Sequence, residues 1–104
     1  MLRINTKFHN GIMFILLDGR LTKSEVYKFR KEITNIISEN KIRKVVYDLS
    51  NLKYIDKYGI NILYMTNNIN EKSLVCNLKE SLKDKLKKYN FNIVKNELEA
   101  LRLC

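Results

Sequence analysis

Two periods of apolar residues run through this chain, and the places where one gives way to the other mark out its elements. Leu2, Ile4, Thr6 and Phe8 alternate with polar neighbours, which is the period of a half-buried strand. Asn10-Gly11 supplies the positive-φ pair of a two-residue turn, and Ile12–Leu17 reads as the returning strand of an antiparallel hairpin. Asp18 to Leu21 are expected to carry the chain off the sheet into a first helix. There Thr22-Lys23-Ser24-Glu25 has capping-box spacing, with the Thr hydroxyl taking one orphan N–H and the Glu reaching back to another. Val26, Phe29, Ile33, Ile36 and Ile37 follow at three- and four-residue steps as a single apolar stripe, and Asn40 fits a left-handed C-cap.

The rest of the chain is arranged around Val45 to Met65. Val45–Leu49, interrupted at Asp48, is a short run rich in β-branched and aromatic residues, predicting a strand buried on both faces. Ser50, Asn51 and Lys53 read as a polar loop after it. Asp56 stands at the N-cap of a second helix, with Gly59 three residues on and Ile62, Met65, Thr66 and Ile69 at helical spacing. A strand thus delivers backbone N–H groups at a helix start, a usual place for a site in open α/β folds.

Asn67–Asn70 ends that periodicity. Leu74–Cys76 is the next strand; Leu82, Leu86 and Tyr89 mark a third helix, with Lys87 and Lys88 at the negative end of its dipole. Phe91, Ile93 and Val94 suggest a final strand, and Leu98, Leu101 and Leu103 a short last helix. The order is ββαβαβαβα: an α/β fold with a mixed, mostly parallel sheet, an N-terminal antiparallel hairpin and four helices, expected to form one domain over residues 1–104.

Composition changes this picture little. The 104 residues are 45% hydrophobic and 30% charged, a globular balance that removes roughly two-thirds of the unfolded surface from water. No apolar run approaches the roughly 18 residues of a membrane span, and the N-terminus has no signal-peptide core, so a cytoplasmic protein is expected. Cys76 falls inside a predicted strand and Cys104 at the last position, which argues for reduced thiols over a disulfide framework. The net charge of +9 invites a nucleic-acid or anionic-membrane reading. Against it, the lysines are spread through a Lys-, Asn- and Ile-rich composition, and the one dense group, Lys79, Lys83, Lys85, Lys87 and Lys88, reads as a solvated helix face.

Enzymatic motifs are missing. There is no Gly-rich phosphate loop, no His-Glu-x-x-His, no Cys/His cluster for zinc and no nucleophile elbow, so no catalysis, cofactor or metal is expected. His9, alone beside the hairpin turn, reads as a solvated turn residue.

Three stretches, FILLDGRLT from Phe14, VVYDLSNLKYIDKYGINILY from Val45 and LVCNLKESLKDKLKKYNFNIV from Leu74, resemble in order and spacing the landmark regions of the STAS domain. That family is found in bacterial anti-sigma-factor antagonists and at the ends of sulfate transporters, and a freestanding chain of this length is more like the antagonists. The resemblance implies a non-catalytic regulator of transcription. Its partner would be an anti-sigma factor that is also a serine kinase, and phosphorylation of a Ser at the start of the second helix would end the binding. The Asp-Ser-Ser-Gly usual at that turn here reads Asp56-Lys57-Tyr58-Gly59, so Lys57 replaces the acceptor and the phosphoserine switch is expected to be absent.

A cation at the positive end of a helix dipole is mildly unfavourable, by roughly 0.3–1 kcal/mol if exposed, so Lys57 is either a plain surface residue or a fixed charge offered to an acidic partner. Tyr58 is a second candidate acceptor or an aromatic packed over the helix start; Ser50 and Thr22, the latter often acidic in the family, are weaker ones. Asp56 is explained as an N-cap worth about 1 kcal/mol, and Gly59 as a position where a side chain would strike neighbouring backbone. The expected partner-binding face is Arg20, Thr22, Asp48, Ser50, Lys53, Asp56, Lys57, Tyr58 and Gly59. The alternatives are a basic nucleic-acid- or membrane-binding domain, and a ligand-sensing or homodimerising scaffold built on the same turn.

Overall fold

The first two strands pair as the antiparallel hairpin expected of them. In the computed structural model, which describes residues 1–9, 11–39, 42, 44–67, 74–89 and 91–102, β1 (Leu2–His9) pairs antiparallel with β2 (Ile12–Leu21) in a register that ends His9↔Ile12. Gly11 adopts φ 81°, the conformation a two-residue hairpin turn requires; Asn10 lies outside the described residues, as does the Asn40 cap. The half-burial predicted for β1 holds only at Leu2 and Ile4, while Thr6 and Phe8 are exposed.

The chain continues through α1 (Lys23–Glu39), β3 (Lys44–Ile55), α2 (Lys57–Asn67), β4 (Leu74–Cys76), α3 (Glu80–Lys87), β5 (Ile93–Val94) and α4 (Glu97–Arg102). The strands lie in the order β1-β2-β3-β4-β5, with every pair after the hairpin parallel, so the predicted α/β order and mixed sheet are what the chain forms. Phe91 precedes β5 instead of opening it. On one face Phe29 and Ile33 of α1, Ile60 and Leu63 of α2, and Leu82 and Leu86 of α3 cover the strands. On the other, Ala100 and Leu101 of α4 pack over Phe14, Val46 and Cys76, while Leu98 is exposed and Leu103 lies outside the described residues.

Two expectations fail for one reason. β2 does not leave the sheet at Asp18, and Ser50, Asn51 and Lys53 are not a loop: both strands stay paired to Leu21↔Ile55. From Leu16↔Asp48 to Asp18↔Asn51, β2 advances two residues and β3 three; from Gly19↔Leu52 to Arg20↔Tyr54 the steps are one and two. Each step inserts one extra residue into β3, a bulge. The bulges turn Leu49, Leu52 and Ile55, spaced by three, onto the same face, and all three are fully buried beneath the helices. The first also frees the Ser50 N–H from the ladder, and the Asp48 carboxylate accepts it at 3.0 Å.

The α2 stripe is rotated from the expected one. Ile60, Ile62, Leu63 and Thr66 are buried, Met65 is 51% exposed, and Ile69 lies outside the described residues. Thr66 spends its hydroxyl on the Ile62 and Leu63 carbonyls. The Tyr47 hydroxyl, opposite on β3, is buried with no hydrogen-bond partner among the described residues; burial raises it far above the usual phenol range, opposed only by the nearby Thr66. Tyr47→Phe is therefore expected to leave stability unchanged or raise it by up to about 1 kcal/mol, since an unmet hydroxyl is removed while the ring keeps its contact with Phe29 at 6.1 Å. Urea unfolding checks this, and a loss of more than about 1 kcal/mol would contradict it.

Candidate functional site

Because β2 and β3 run together to their last residues, α1 and α2 start side by side. A single carboxylate joins them. Asp56 Oδ1 accepts the Gly59 N–H at 2.8 Å, the N-cap bond expected of it, and Oδ2 accepts the Lys23 N–H at the first residue of α1, at 3.0 Å. The Asp56 N–H donates to the Leu21 carbonyl at 3.3 Å, tying the end of β3 to the end of β2. Two groups of orphan helix N–H donors thus converge on one side chain.

The Thr22 box forms differently from the expected pattern. Its backbone N–H does donate to Glu25 Oε1 at 3.3 Å, but its hydroxyl donates to the same oxygen at 2.7 Å instead of accepting an orphan N–H. These bonds, with one from Ser24, hold the Glu25 carboxyl below its ordinary value. Asp56 supplies the helix-start acceptor that Thr22 does not.

Gly59 is fixed by crowding. A Cβ there would overlap the Leu21 carbonyl oxygen and lie 2.8 Å from Ile55 Cγ1. Only hydrogen in place of a side chain lets α2 begin so close to the strand ends.

Around this junction two half-exposed tyrosines each hold a pair of cations. Tyr54, 40% exposed, lies under the Arg20 guanidinium at 4.9 Å and Lys85 Nζ at 4.5 Å; Tyr58, 41% exposed, lies under Lys23 and Lys57 at 5.1 and 5.2 Å. Lys85 also donates to the Ile55 carbonyl at 3.2 Å, anchoring α3 to the same edge. Such contacts contribute about 0.5–1 kcal/mol each when exposed, enough to orient the ammonium groups without neutralising them. Among the described residues none of these four cations is in a salt bridge.

The expected face is therefore assembled only in part. Arg20, Thr22, Asp56, Lys57, Tyr58 and Gly59 come together, with Lys53 exposed on β3 next to Tyr54. Asp48 and Ser50 do not join them. They sit eight and six residues before Asp56 along β3, away from the turn. Asp48 moreover points to the opposite face, where it accepts the Asn77 amide at 3.0 Å. Burial pushes its carboxyl up, but hydrogen bonds from Glu97, Ser50 and Asn77 outweigh that and hold it below its ordinary value. The contact with Asp48, and burial, raise the Glu97 carboxyl above its ordinary value despite the Lys7 ammonium at 2.9 Å, which lowers it. Burial and these carboxylates push the Cys76 thiol up to about 12, which leaves it protonated and unreactive. Sequence reasoning missed Lys23, Tyr54 and Lys85; Lys85 belonged to a lysine group read as a solvated face, a description that does fit Lys83, paired with Glu80 at 2.9 Å.

Among the described residues no group of three His, Cys, Asp or Glu side chains is placed to hold a metal ion, and no helix is long and apolar enough to cross a membrane. The sequence matches the family profile of the STAS domain over residues 3–100. The chain belongs to the STAS domain family. No curated protein sequence matches it.

Among solved structures, the STAS domain described here is similar to an anti-sigma factor antagonist from Mycobacterium paratuberculosis, with 14% identity and a TM-score of 0.81 over 99% of this chain and 93% of that one. It is similar to the Bacillus cell fate determinant SpoIIAA in its phosphorylated form, with 15% identity and a TM-score of 0.71 over 97% and 98%. It also resembles part of the murine anion transporter Slc26a9, with 12% identity and a TM-score of 0.79 over 93% of this chain and 18% of that one. At these identities the likeness is one of fold.

Proposed function

We propose that this STAS domain is a cytoplasmic, non-catalytic protein-binding module of the anti-sigma-factor-antagonist type, docking on an anti-sigma factor or related serine-kinase-like regulator through the start of α2. The observation that carries the reading is the doubly capped turn. Asp56 and Gly59 fix the backbone, so Lys57 and Tyr58 stand outward on a rigid base, in the position where antagonists of the family present their serine. Lys57 has no hydroxyl to phosphorylate. The module is therefore held in its binding-competent form, with a fixed charge where its relatives carry a reversible one.

Affinity capture from native extract tests this, with the retained proteins identified. Wild type is expected to retain a kinase-like regulatory protein and Lys57→Glu to lose it by about tenfold or more, because a fixed negative charge takes the place of the phosphate. Retention that Lys57→Glu leaves unchanged would defeat the proposal. Lys57→Ser is expected to bind and to become a phosphate acceptor for the same partner.

The cluster of cations around two tyrosines supports a second reading, single-stranded nucleic acid stacking on Tyr54 and Tyr58. Its test is a titration at two salt concentrations, where binding that does not weaken with salt would exclude it.

A further inference from the structure

Beside the doubly capped turn, α1 and α2 leave an apolar groove between them. Both follow parallel strands on the same face of the sheet, so they run in the same direction from their shared start at Asp56. Val26 and Tyr27 form one wall and Tyr58, Ile62 and Met65 the other, enclosing about 400 Å³. Tyr27 is 79% exposed and Met65 51%, so two large apolar side chains face solvent across a buried floor at Ile62. Tyr58, Ile62 and Met65 recur at the four- and three-residue steps of a helix, giving the groove a length of about two turns.

Charge decides what fits. Lys23 and Arg30 line the groove on the α1 side, and Lys57 stands with Lys23 over Tyr58 at its upper end. Among the described residues no carboxylate lines it, and the Asp56 carboxylate at the junction is committed to two backbone N–H groups. An apolar floor under a cationic rim disfavours a second copy of this chain, whose own net charge is +9. It also gives a nucleic-acid backbone little to pair with below the rim.

We propose that this groove receives one amphipathic helix of the partner protein, apolar along the stripe that faces Ile62 and acidic on its flanks. This rests on the docking reading above and extends it: the turn at Lys57 is one end of the contact and the groove is its body. Apolar side chains at i, i+3, i+4 and i+7 fill the space between Tyr27 and Met65, and the flanking carboxylates meet Lys23, Arg30 and Lys57.

The probe is a stapled peptide helix of about 14 residues with Leu at those positions and Glu elsewhere, titrated into the isotope-labelled chain. Amide shifts are expected at Val26, Tyr27, Tyr58, Asn61, Ile62 and Met65. A version with Lys in place of Glu, and one with Gln in place of Leu, should each bind about tenfold or more weaker. Met65→Glu and Lys23→Glu should each cost about tenfold. Both side chains are exposed, so these variants should melt with wild type, and a thermal scan separates lost binding from lost folding.

Equal binding of the Lys peptide, shifts centred elsewhere, or self-association that Met65→Glu abolishes would overturn the proposal. The protein retained in the Lys57 experiment distinguishes the two levels of inference. If Lys57→Glu loses it and Met65→Glu does not, the groove assignment fails while the docking face stands; if neither loses it, the docking reading itself fails.

Discussion

Gly59→Ala is expected to destabilise this STAS domain by about 3 kcal/mol, at the upper end of what overpacking costs and enough to lower Tm by roughly 15 °C in a chain of this size. Two effects oppose each other. Alanine is the better helix former, by about 1 kcal/mol in a helix interior and less in a first turn. Against that, the new methyl would overlap the Leu21 carbonyl oxygen and press on Ile55 Cγ1 at 2.8 Å. Neither neighbour can yield cheaply: the Leu21 carbonyl accepts the Asp56 N–H, and Ile55 is fully buried. Relief would require α2 to move off the strand ends, which breaks the Asp56–Gly59 bond as well. Urea unfolding of Gly59→Ala beside Asn61→Ala, an exposed site in the same helix, makes the comparison. If both substitutions were neutral, the tight approach of α2 to β2 would be disproved.

The order of the elements was legible because strand and helix periods differ and the turn residues mark the changes between them. The stretch from Ser50 to Ile55 was not. Leu49, Leu52 and Ile55 repeat every three residues, which belongs to neither period, and only the pairing with β2 shows that two bulges absorb the difference. The α2 stripe failed more narrowly. Met65 fits the helical spacing as well as Leu63 does, and which of them is buried depends on the angle at which Asp56 and Gly59 set the helix on the sheet.

The site divides along the same line. Asp56 as N-cap and Gly59 as a crowded position follow from local rules. Their distant partners do not: the Lys23 N–H comes from 33 residues earlier, and Lys85 reaches the Ile55 carbonyl from 30 residues later. No local pattern encodes either contact. Asp48 is a different case, since alternation with the buried Tyr47 and Leu49 already places it on the far face of β3. Proximity in sequence to the turn outweighed a periodicity that was there to be read.

The two hydrogen bonds that the Asp56 carboxylate accepts give the second large effect. Asp56→Ala is expected to cost about 2 kcal/mol, because it uncaps α1 and α2 together at about 1 kcal/mol for each. Asp56→Asn keeps one acceptor oxygen, so it should retain one cap and lose about half as much. Stability alone would not prove the double role, since a single strong cap can reach the same total. Hydrogen exchange does: in Asp56→Ala the amides of both Lys23 and Gly59 should lose protection, whereas an Asp56 serving α2 alone would leave Lys23 as in wild type. If the proposed docking through the start of α2 holds, the same variant should bind the captured partner more weakly even at temperatures where it is folded. With the caps gone, Lys57 and Tyr58 ride on a fraying first turn, and part of the binding free energy is spent on ordering it. Loss of affinity in Asp56→Ala with Lys57 intact would therefore separate the charge that is presented from the rigidity that presents it.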